Sequence, residues 1–427
     1  MKVVNVGLVG LGTVGTGVVR ILRAQGGEIG KKTGIRMVLK RVGVKSLSKK
    51  RQLAIPKTLL TQNPNDLAKD PTIDILVELI GGIHPAREII AKAFASGKHV
   101  VTANKALLAE EGAFVFREAV RHSRRLGFEA SVCGGIPIIK SLQEGLVSNS
   151  ITHFLGIVNG TCNFILTRMS EEKMSFRAAL KEAQSKGYAE KDPRLDVEGI
   201  DSAHKLAILA RLAFRAEVPF KKISVEGIQS LEAADIEYAR ELGYRVKLLA
   251  IGKKLKEGLE LRVHPTMLPL EHPLSNVGGV YNAVFVHGDQ TGDLLFYGQG
   301  AGMMPTASAV VSDILDIGKQ LFNPLHPATL DTSAAYKILP IQRIVSKYYL
   351  RFQVEDRPGV LGRIARTLGR HDISILSVHQ KESHDPSSVP VIILTYEACE
   401  ENLRSALKEI DAEKAVSQRT RVLRVEH

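Results

Sequence analysis

Only three of the 427 residues are cysteine, and Cys133, Cys162 and Cys399 stand far apart, without the short spacings of a zinc site. That scarcity excludes a disulfide framework and points to a reducing compartment, the cytoplasm. Long apolar runs are also missing. No stretch approaches the roughly 18 residues a membrane span needs, and the chain opens on a strand and a glycine turn, not a secretory leader. No membrane association is therefore expected. Acidic residues are absent from one long interval, between Glu28 and Asp66, where Lys45, Lys49, Lys50 and Arg51 crowd together. The whole chain carries a formal net charge of +13, but its Lys and Arg are spread along its length with no nucleic-acid motif. The excess reads as solubility plus attraction for anionic small molecules, and nucleic acid is not expected as a partner. Hydrophobic content of 44% and charged content of 24% are those of an ordinary globular protein, long enough for two or three domains.

What is present begins with Val3 to Val9, an apolar run leading into Gly10-Leu11-Gly12-Thr13-Val14-Gly15 and then an apolar helix through Ile21 and Leu22. G-x-G-x-x-G alone is weak evidence, but between a strand and a helix it is a dinucleotide-binding fingerprint. Gly10 makes the tight turn, Gly12 admits close backbone approach, Gly15 lets helix pack on strand, and the pyrophosphate rests on the helix N-terminus. The second strand, about Met37 to Val44, bears on which dinucleotide is bound. An NAD site shows an acid near this strand's end for the ribose 2'-hydroxyl, and there is none. The cations that follow favour a 2'-phosphate and hence NADP(H) over NAD(H), with Lys45, nearest the strand end, the first choice for the contact. A basic loop touching no ligand would leave that preference open.

Strands and helices then alternate as a doubly wound sheet requires. Ile73 to Ile80 reads as a strand ending in Gly81-Gly82, Pro85 opens a helix that stops at Gly97, and His99 to Thr102 is the next strand. Lys105 follows that strand's carboxyl end, where ligands of open α/β sheets bind. Leu126 to Ser131 reads as a strand carrying Glu129. Cys133-Gly134-Gly135-Ile136-Pro137 is a tight turn whose carbonyls could coordinate a cation, although such turns usually bind nothing. The densest polar stretch is 183 to 205. There Asp201 and Lys205 share one face of a helix opening after Gly199, and Glu190, Asp192 and Asp196 lie upstream on a segment broken by Pro193. Acids facing a lysine across a turn suit a substrate ammonium group; a solvated surface ion pair is the alternative.

Between 146 and 305 the expected strands are Ile151 to Val158, Val246 to Ile251, Leu259 to His264 and Tyr281 to Val286, followed by a helix from Thr306 to Gln320. Pro324, Pro327 and Pro340 mark a linker. Beyond it come strand 348 to 354, the turn Asp356-Arg357-Pro358-Gly359, helix 360 to 369, strands 373 to 381 and 389 to 396, helix 400 to 410 and strand 421 to 425. That βαββαβ order predicts a ferredoxin-like sandwich.

Together these residues resemble the homoserine dehydrogenases, and the segment Asp-Arg-Pro-Gly-Val-Leu-Gly resembles an ACT domain. The motifs carrying the first resemblance are the fingerprint, Thr102-Ala103-Asn104-Lys105, Asn159-Gly160-Thr161, the 183 to 205 pattern, and Gly300-Ala301-Gly302 with Pro305-Thr306. The resemblance implies an α/β chain with a Rossmann dinucleotide-binding domain (1–145, with a return helix at about 306–322), an α+β catalytic and dimerisation domain (146–305), a linker (323–347) and a C-terminal ferredoxin-like ACT domain (348–427). It implies NAD(P)-linked interconversion of L-homoserine and L-aspartate 4-semialdehyde, in threonine, methionine and isoleucine biosynthesis. By position Lys205 matches the proton donor, and Lys105 the lysine shared by substrate and nicotinamide. Glu190 matches a substrate ligand, with Asp196 and Asp201 in the same polar cluster, and Gly300 a cofactor contact. Glu129, Val132, Gly134 and Ile136 match a sodium-binding loop. Cys133 and Cys162 stand where small or hydroxylated residues are expected and read as packing variation. A homodimer or homotetramer is implied, with threonine as the effector at the ACT domain unless that domain serves assembly alone. Two other classes compete. An aspartate-semialdehyde dehydrogenase would need a catalytic cysteine in a base-paired setting, and a non-catalytic NADP and amino-acid sensor would leave the acids and lysine at 190 to 205 unexplained.

Overall fold

The computed structural model describes residues 1–322, 334–380 and 388–426. Pro324, Pro327 and position 381, the end of one expected strand, lie outside the described residues. The chain forms two compact units. One gathers Met1–Gly160, Asp201–Lys221 and Val280–Tyr336, the other Thr161–Ile200, Lys222–Gly279 and Lys337–His427.

The first unit holds a six-stranded parallel sheet. Its strands are β1 (Lys2–Val9), β2 (Ile35–Gly43), β3 (Leu60–Thr61), β4 (Ile75–Glu78), β5 (His99–Thr102) and β6 (Leu126–Gly127), in the order β3-β2-β1-β4-β5-β6. Alternate residues of a strand share one face, which is why Val4, Val6, Leu8, Ile75, Val77 and Val101 all enter one core, while Leu76 and Val100 are buried on the other face. The helix Thr13–Thr33 covers that core with Val18, Val19 and Ile21 and ends at Gly34, whose left-handed φ of 73° returns its amide to the Gly30 carbonyl. A second helix, Met303–Phe322, packs against it so closely that a Cβ on Gly17 would stand 2.7 Å from the Met303 carbonyl oxygen. This helix starts three residues before the expected Thr306. Pro305 is accommodated because amides of the first turn have no intrahelical acceptor to lose.

Two expectations here need correction. β4 is shorter than Ile73 to Ile80, because Gly81 and Gly82 both take left-handed φ, 71° and 74°, and turn the chain away. The strand drawn through Glu129 stops at Gly127. Glu129–Ser131 is a 3-10 turn, since the Glu129 amide donates to Asp313 and its carboxylate accepts the amides of Ile139 and Lys140, each at 2.9 Å. An antiparallel trio, Ile151–Ile157, Tyr281–Gly288 and Gly292–Gln299, completes the unit's strands. The third was not anticipated. Its residues alternate between half-buried and exposed, with Leu295 and Tyr297 on the exposed side opposite Leu294 and Phe296, so no apolar-polar alternation marks it.

The second unit is built on a long hairpin, Tyr244–Leu255 with Gly258–Pro269. Its second strand pairs in parallel with the C-terminal strand Val416–Val425, through Thr266 opposite Arg424 and Met267 opposite Val425. The βαββαβ module appears in the expected order as Val345–Val354, Val360–Arg370, Ile375–Gln380, Val389–Thr395, Glu400–Ile410 and Val416–Val425. Its antiparallel strands lie in the spatial order last, first, third, second. Buried arginines knit the unit. Arg262, 1% exposed, meets Glu426 at 2.5 Å, Arg424 meets Glu400 at 2.7 Å and Glu226 at 2.9 Å, and Arg351 meets Asp235 at 2.6 Å.

In the first unit, His99 accepts the Arg125 amide on Nδ1 at 2.9 Å, and burial with the nearby Arg124 and Arg125 guanidiniums lowers its pKa to about 4. The unfolded histidine titrates near 6.5, so protons favour the unfolded chain between these values. Its contribution is complete above about pH 6.5 and is lost as pH falls towards about 4, at most about 3 kcal/mol. We expect the urea midpoint to drop across that window and His99→Asn to flatten the dependence. Equal slopes in the two proteins would refute this account.

Candidate active site

The glycine turn is shaped from below and open above. Gly10 has φ 103°, and a Cβ there would lie 2.7 Å from the Leu79 carbonyl oxygen; on Gly15 it would lie 2.2 Å from that of Gly10. Over Gly12 there is nothing within 4 Å. Leu11 and Val14 pack on the core, Thr13 opens the helix, and the first turn has neither a side-chain cap nor an acidic residue. Uncapped amides facing open space at a helix N-terminus fit a diphosphate. Past β2, Lys45 is exposed and its carbonyl accepts from Gln62 at 3.2 Å. The loop after it wraps around Arg51, whose guanidinium donates to the carbonyls of Ser46, Leu47 and Lys49. Arg23 pins the loop's end at the Ala54 carbonyl, 2.8 Å away. The basic stretch is therefore a built loop, with three lysines around an arginine already engaged by backbone.

At the carboxyl end of β5, the helix Lys105–Glu110 is capped by Asn104, whose side chain accepts from the Leu107 amide at 3.1 Å. Lys105, the first residue of this helix, reaches Asp201 Oδ1 at 2.5 Å. The other carboxylate oxygen takes Lys205 Nζ at 2.8 Å and Asn159 Nδ2 at 2.8 Å, and Lys205 also donates to the Val158 carbonyl at 2.6 Å. Asp201 and Lys205 sit one turn apart at the start of the helix Ile200–Phe214, as their spacing predicted. This is no solvated pair: the Asp201 side chain is 5% exposed and that of Lys205 11%, while Lys105 remains 44% exposed. Burial works against ionising Asp201, but the ammoniums of Lys205 and Lys105 outweigh it and hold the carboxyl well below the usual carboxylate range. A buried anion thus fixes two cations, one enclosed and one facing outward.

The other residues picked from the sequence fall as follows. Glu129 is buried, and burial raises its pKa against the two amides that its carboxylate accepts. Cys133 and Gly134 follow with φ of 53° and 39°, the Cys133 carbonyl accepts from Ile136, and that of Ile136 accepts from Ile138. Among the described residues there is no group of three His, Cys, Asp or Glu side chains arranged for a metal. One carboxylate with backbone carbonyls of Val132, Gly134 and Ile136 is an all-oxygen set, suited to a hard cation and unsuited to a transition metal. Gly300 lies beneath the Asn282 carboxamide, where a Cβ would come within 2.0 Å of Asn282 Cγ. Glu190 and Asp196 belong to the second unit. Glu190 is exposed, its carbonyl accepting from Gln184 at 3.1 Å, and Asp196 is half-buried, its carbonyl accepting from the Cys162 thiol at 3.2 Å. Asp192 pairs locally with Arg194 at 2.6 Å, which lowers its pKa to about 2; that partner, two residues away, was overlooked.

Comparison with known proteins gives this geometry a family. Residues 10–129 match the family model described as homoserine dehydrogenase, NAD binding domain, residues 137–315 match homoserine dehydrogenase, and residues 348–415 match an ACT domain. The homoserine dehydrogenase of Neisseria gonorrhoeae is 44% identical over 435 residues, covering 100% of this chain and 99% of its own. The chain belongs to the homoserine dehydrogenase family. The homoserine dehydrogenase of Pseudomonas aeruginosa is likewise 44% identical, over 433 residues and the same shares of the two chains. Among solved structures, a homoserine dehydrogenase from Thiobacillus denitrificans matches with a TM-score of 0.95 at 46% identity, over 100% of this chain and 99% of the other. A hyperthermophilic archaeal homoserine dehydrogenase mutant in complex with NADPH matches with 0.62 at 26% identity, over 76% of this chain and 100% of the other. Homoserine dehydrogenases are NAD(P)-dependent oxidoreductases, and the Rossmann domain, catalytic domain and C-terminal ACT domain expected from the sequence are the architecture of this chain.

Sequence reasoning missed several residues that the structure gathers around Asp201 and Lys205. Asn159 was quoted only as part of a motif, and the Val158 carbonyl, a backbone acceptor, carries no residue-type signal. His204, beside Lys205, is buried, meets Glu110 at 3.2 Å and stacks on Phe220. Its even placement within an apolar helix hid it. The turn geometry yields a paired test. Gly15→Ala would overpack the turn at a cost of about 1–3 kcal/mol and lower the thermal midpoint. Gly12→Ala meets open space and should leave the midpoint unchanged while weakening NADPH binding, read by fluorescence titration. Equal behaviour of the two variants would contradict the assignment of that space.

Proposed function

We propose that the protein is an NADP(H)-preferring homoserine dehydrogenase interconverting L-homoserine and L-aspartate 4-semialdehyde, in the biosynthesis of threonine, methionine and isoleucine. The reading rests above all on the two lysines held by buried Asp201 beyond the carboxyl end of β5. When bound, the nicotinamide supplies or accepts the hydride. The chain's task is to manage charge on the oxygen. As the aldehyde carbon is reduced, negative charge grows on its oxygen, and the Lys205 ammonium stabilises that charge and delivers a proton from Nζ. In the reverse direction the neutral amine takes the hydroxyl proton. Asp201, itself held by Asn159, favours the ammonium form, and the Val158 carbonyl fixes where Nζ points. Lys105, outward-facing, holds substrate and nicotinamide from the other side. Glu190 and Asp196 take the substrate α-ammonium.

On the cofactor side, Gly10 through Gly15 receive the pyrophosphate, Lys45 and its basic neighbours a 2'-phosphate, and Gly300 lets the backbone approach the nicotinamide half. Glu129 with the carbonyls of Val132, Gly134 and Ile136 would hold a sodium ion that stiffens the turn. The same reading places the domain boundaries after 145, 305, 322 and 347, with 306–322 returning to the nucleotide domain and 323–347 a linker, and makes the ACT domain a threonine-binding module and the protein a cytoplasmic homodimer or homotetramer. In support, no described helix is long and apolar enough to cross a membrane.

The decisive assay is NADPH oxidation with L-aspartate 4-semialdehyde, run beside NADH. Lys205→Met should lower kcat by about 10²–10⁴ with NADPH affinity unchanged. Retained kcat in Lys205→Met together with its loss in Lys105→Met would exchange the two roles. Lys45→Ala should narrow the preference for NADPH over NADH; an unaltered ratio would remove Lys45 from the 2'-phosphate site.

A further inference from the structure

We propose that Glu78 is a positioning residue for Lys105, acting through a closed ring of hydrogen bonds that also includes Thr102 and Asn104. The inference rests on Lys105 meeting substrate and cofactor, as read above.

Glu78 ends β4, stands directly opposite Thr102 in β5 and has no exposed surface. A carboxylate so deeply buried is ordinarily matched by a cation. Here its partners are a hydroxyl and two amides. Oε2 accepts from Thr102 Oγ1 at 2.6 Å, and Oε1 accepts the amides of Ile80 at 2.7 Å and Gly81 at 3.3 Å. Thr102 Oγ1 in turn accepts the Asn104 amide at 3.0 Å. The Asn104 side chain closes the ring, donating to the Gly82 carbonyl at 2.6 Å while its oxygen caps Leu107. Two strand-end turns are thereby locked together, and the helix whose first residue is Lys105 starts from the lock.

Residue chemistry gives the ring a direction. The Thr102 hydroxyl donates its one proton to Glu78, which turns the threonine lone pairs towards the Asn104 amide. A glutamine at 78 would keep the volume and could still accept from the turn, but its amide nitrogen would donate to Thr102 Oγ1 and leave the hydroxyl proton without an acceptor. Thr102→Val removes the hydroxyl without changing side-chain shape, and Thr102→Ser restores it. Among the described residues the Lys105 ammonium pairs with one carboxylate, Asp201, at the tip of a long, half-exposed side chain, so its placement depends on where its helix begins.

The test is a double-mutant cycle between Thr102→Val and Lys105→Met in the full-length enzyme, read on kcat/KM for L-aspartate 4-semialdehyde and on L-homoserine binding to the NADP-loaded protein by calorimetry. Misplacing a catalytic group by about 1 Å costs up to about a hundredfold, so Thr102→Val and Glu78→Gln should each lower kcat/KM by about tenfold to a hundredfold. Thr102→Ser should recover most of the loss. In the Lys105→Met background the effect of Thr102→Val should vanish, because nothing remains to be positioned. Additive effects of the two substitutions would overturn the inference and leave Glu78 and Thr102 as fold-stabilising residues only. If Lys105→Met alone changes neither readout, it is the reading of Lys105 itself that fails.

Discussion

A single buried carboxylate organises the catalytic half of this protein. Asp201 is 4% exposed yet stays ionised, and it does so because three segments deliver donors to it: Lys105 from the start of one helix, Asn159 after a strand, and Lys205 one turn further along its own helix. Each donor would be poorly placed without it. A cation in the first turn of a helix opposes the helix dipole, as Lys105 does, whereas an anion there is favoured, as Asp201 is. The carboxylate therefore resolves the electrostatic conflict created by placing an ammonium at the end of β5. Removing it would leave two cations near one another, one of them enclosed.

Around that centre the Rossmann sheet acts as a frame whose strand ends, not strand interiors, carry the chemistry. β1 ends in the glycine turn, β2 in the basic loop, and β4 and β5 in two turns bonded to each other beside Lys105. Short parallel strands suffice, because their registry is enforced by apolar residues buried on both faces. The glycines at the ends matter for what they exclude. Gly10 lies against the backbone of Leu79 and Gly15 against that of Gly10, while Gly12 borders space.

Much of this was legible in the sequence, for reasons that can be named. Apolar runs bounded by glycine and proline turns marked β1 and its helix, two strands whose pairing as a hairpin went unread, and the βαββαβ order, and the four-residue spacing of Asp201 and Lys205 put them on one face. What escaped depends on contacts distant in the chain or on backbone atoms. Glu129 leaves its sheet because its partners lie at 139, 140 and 313. The strand Gly292–Gln299 has no buried face to advertise. Arg51 looked like one cation among four until the loop closed on it, and Glu78 is anonymous in a hydrophobic strand although it joins two turns.

The pairing of the last strand with the long hairpin has a consequence beyond regulation. Eleven of the twelve residues of Gly258–Pro269 are buried, and part of its outer edge is covered by Val416–Val425, with Glu426 neutralising Arg262 just beyond. A chain ending before the C-terminal module would bare unpaired backbone beside an enclosed guanidinium left with Glu260 as its carboxylate partner. Exposed edges of that kind recruit other chains. The module thus gives the hairpin both a strand partner and a counter-charge, a structural duty separate from any ligand that it binds.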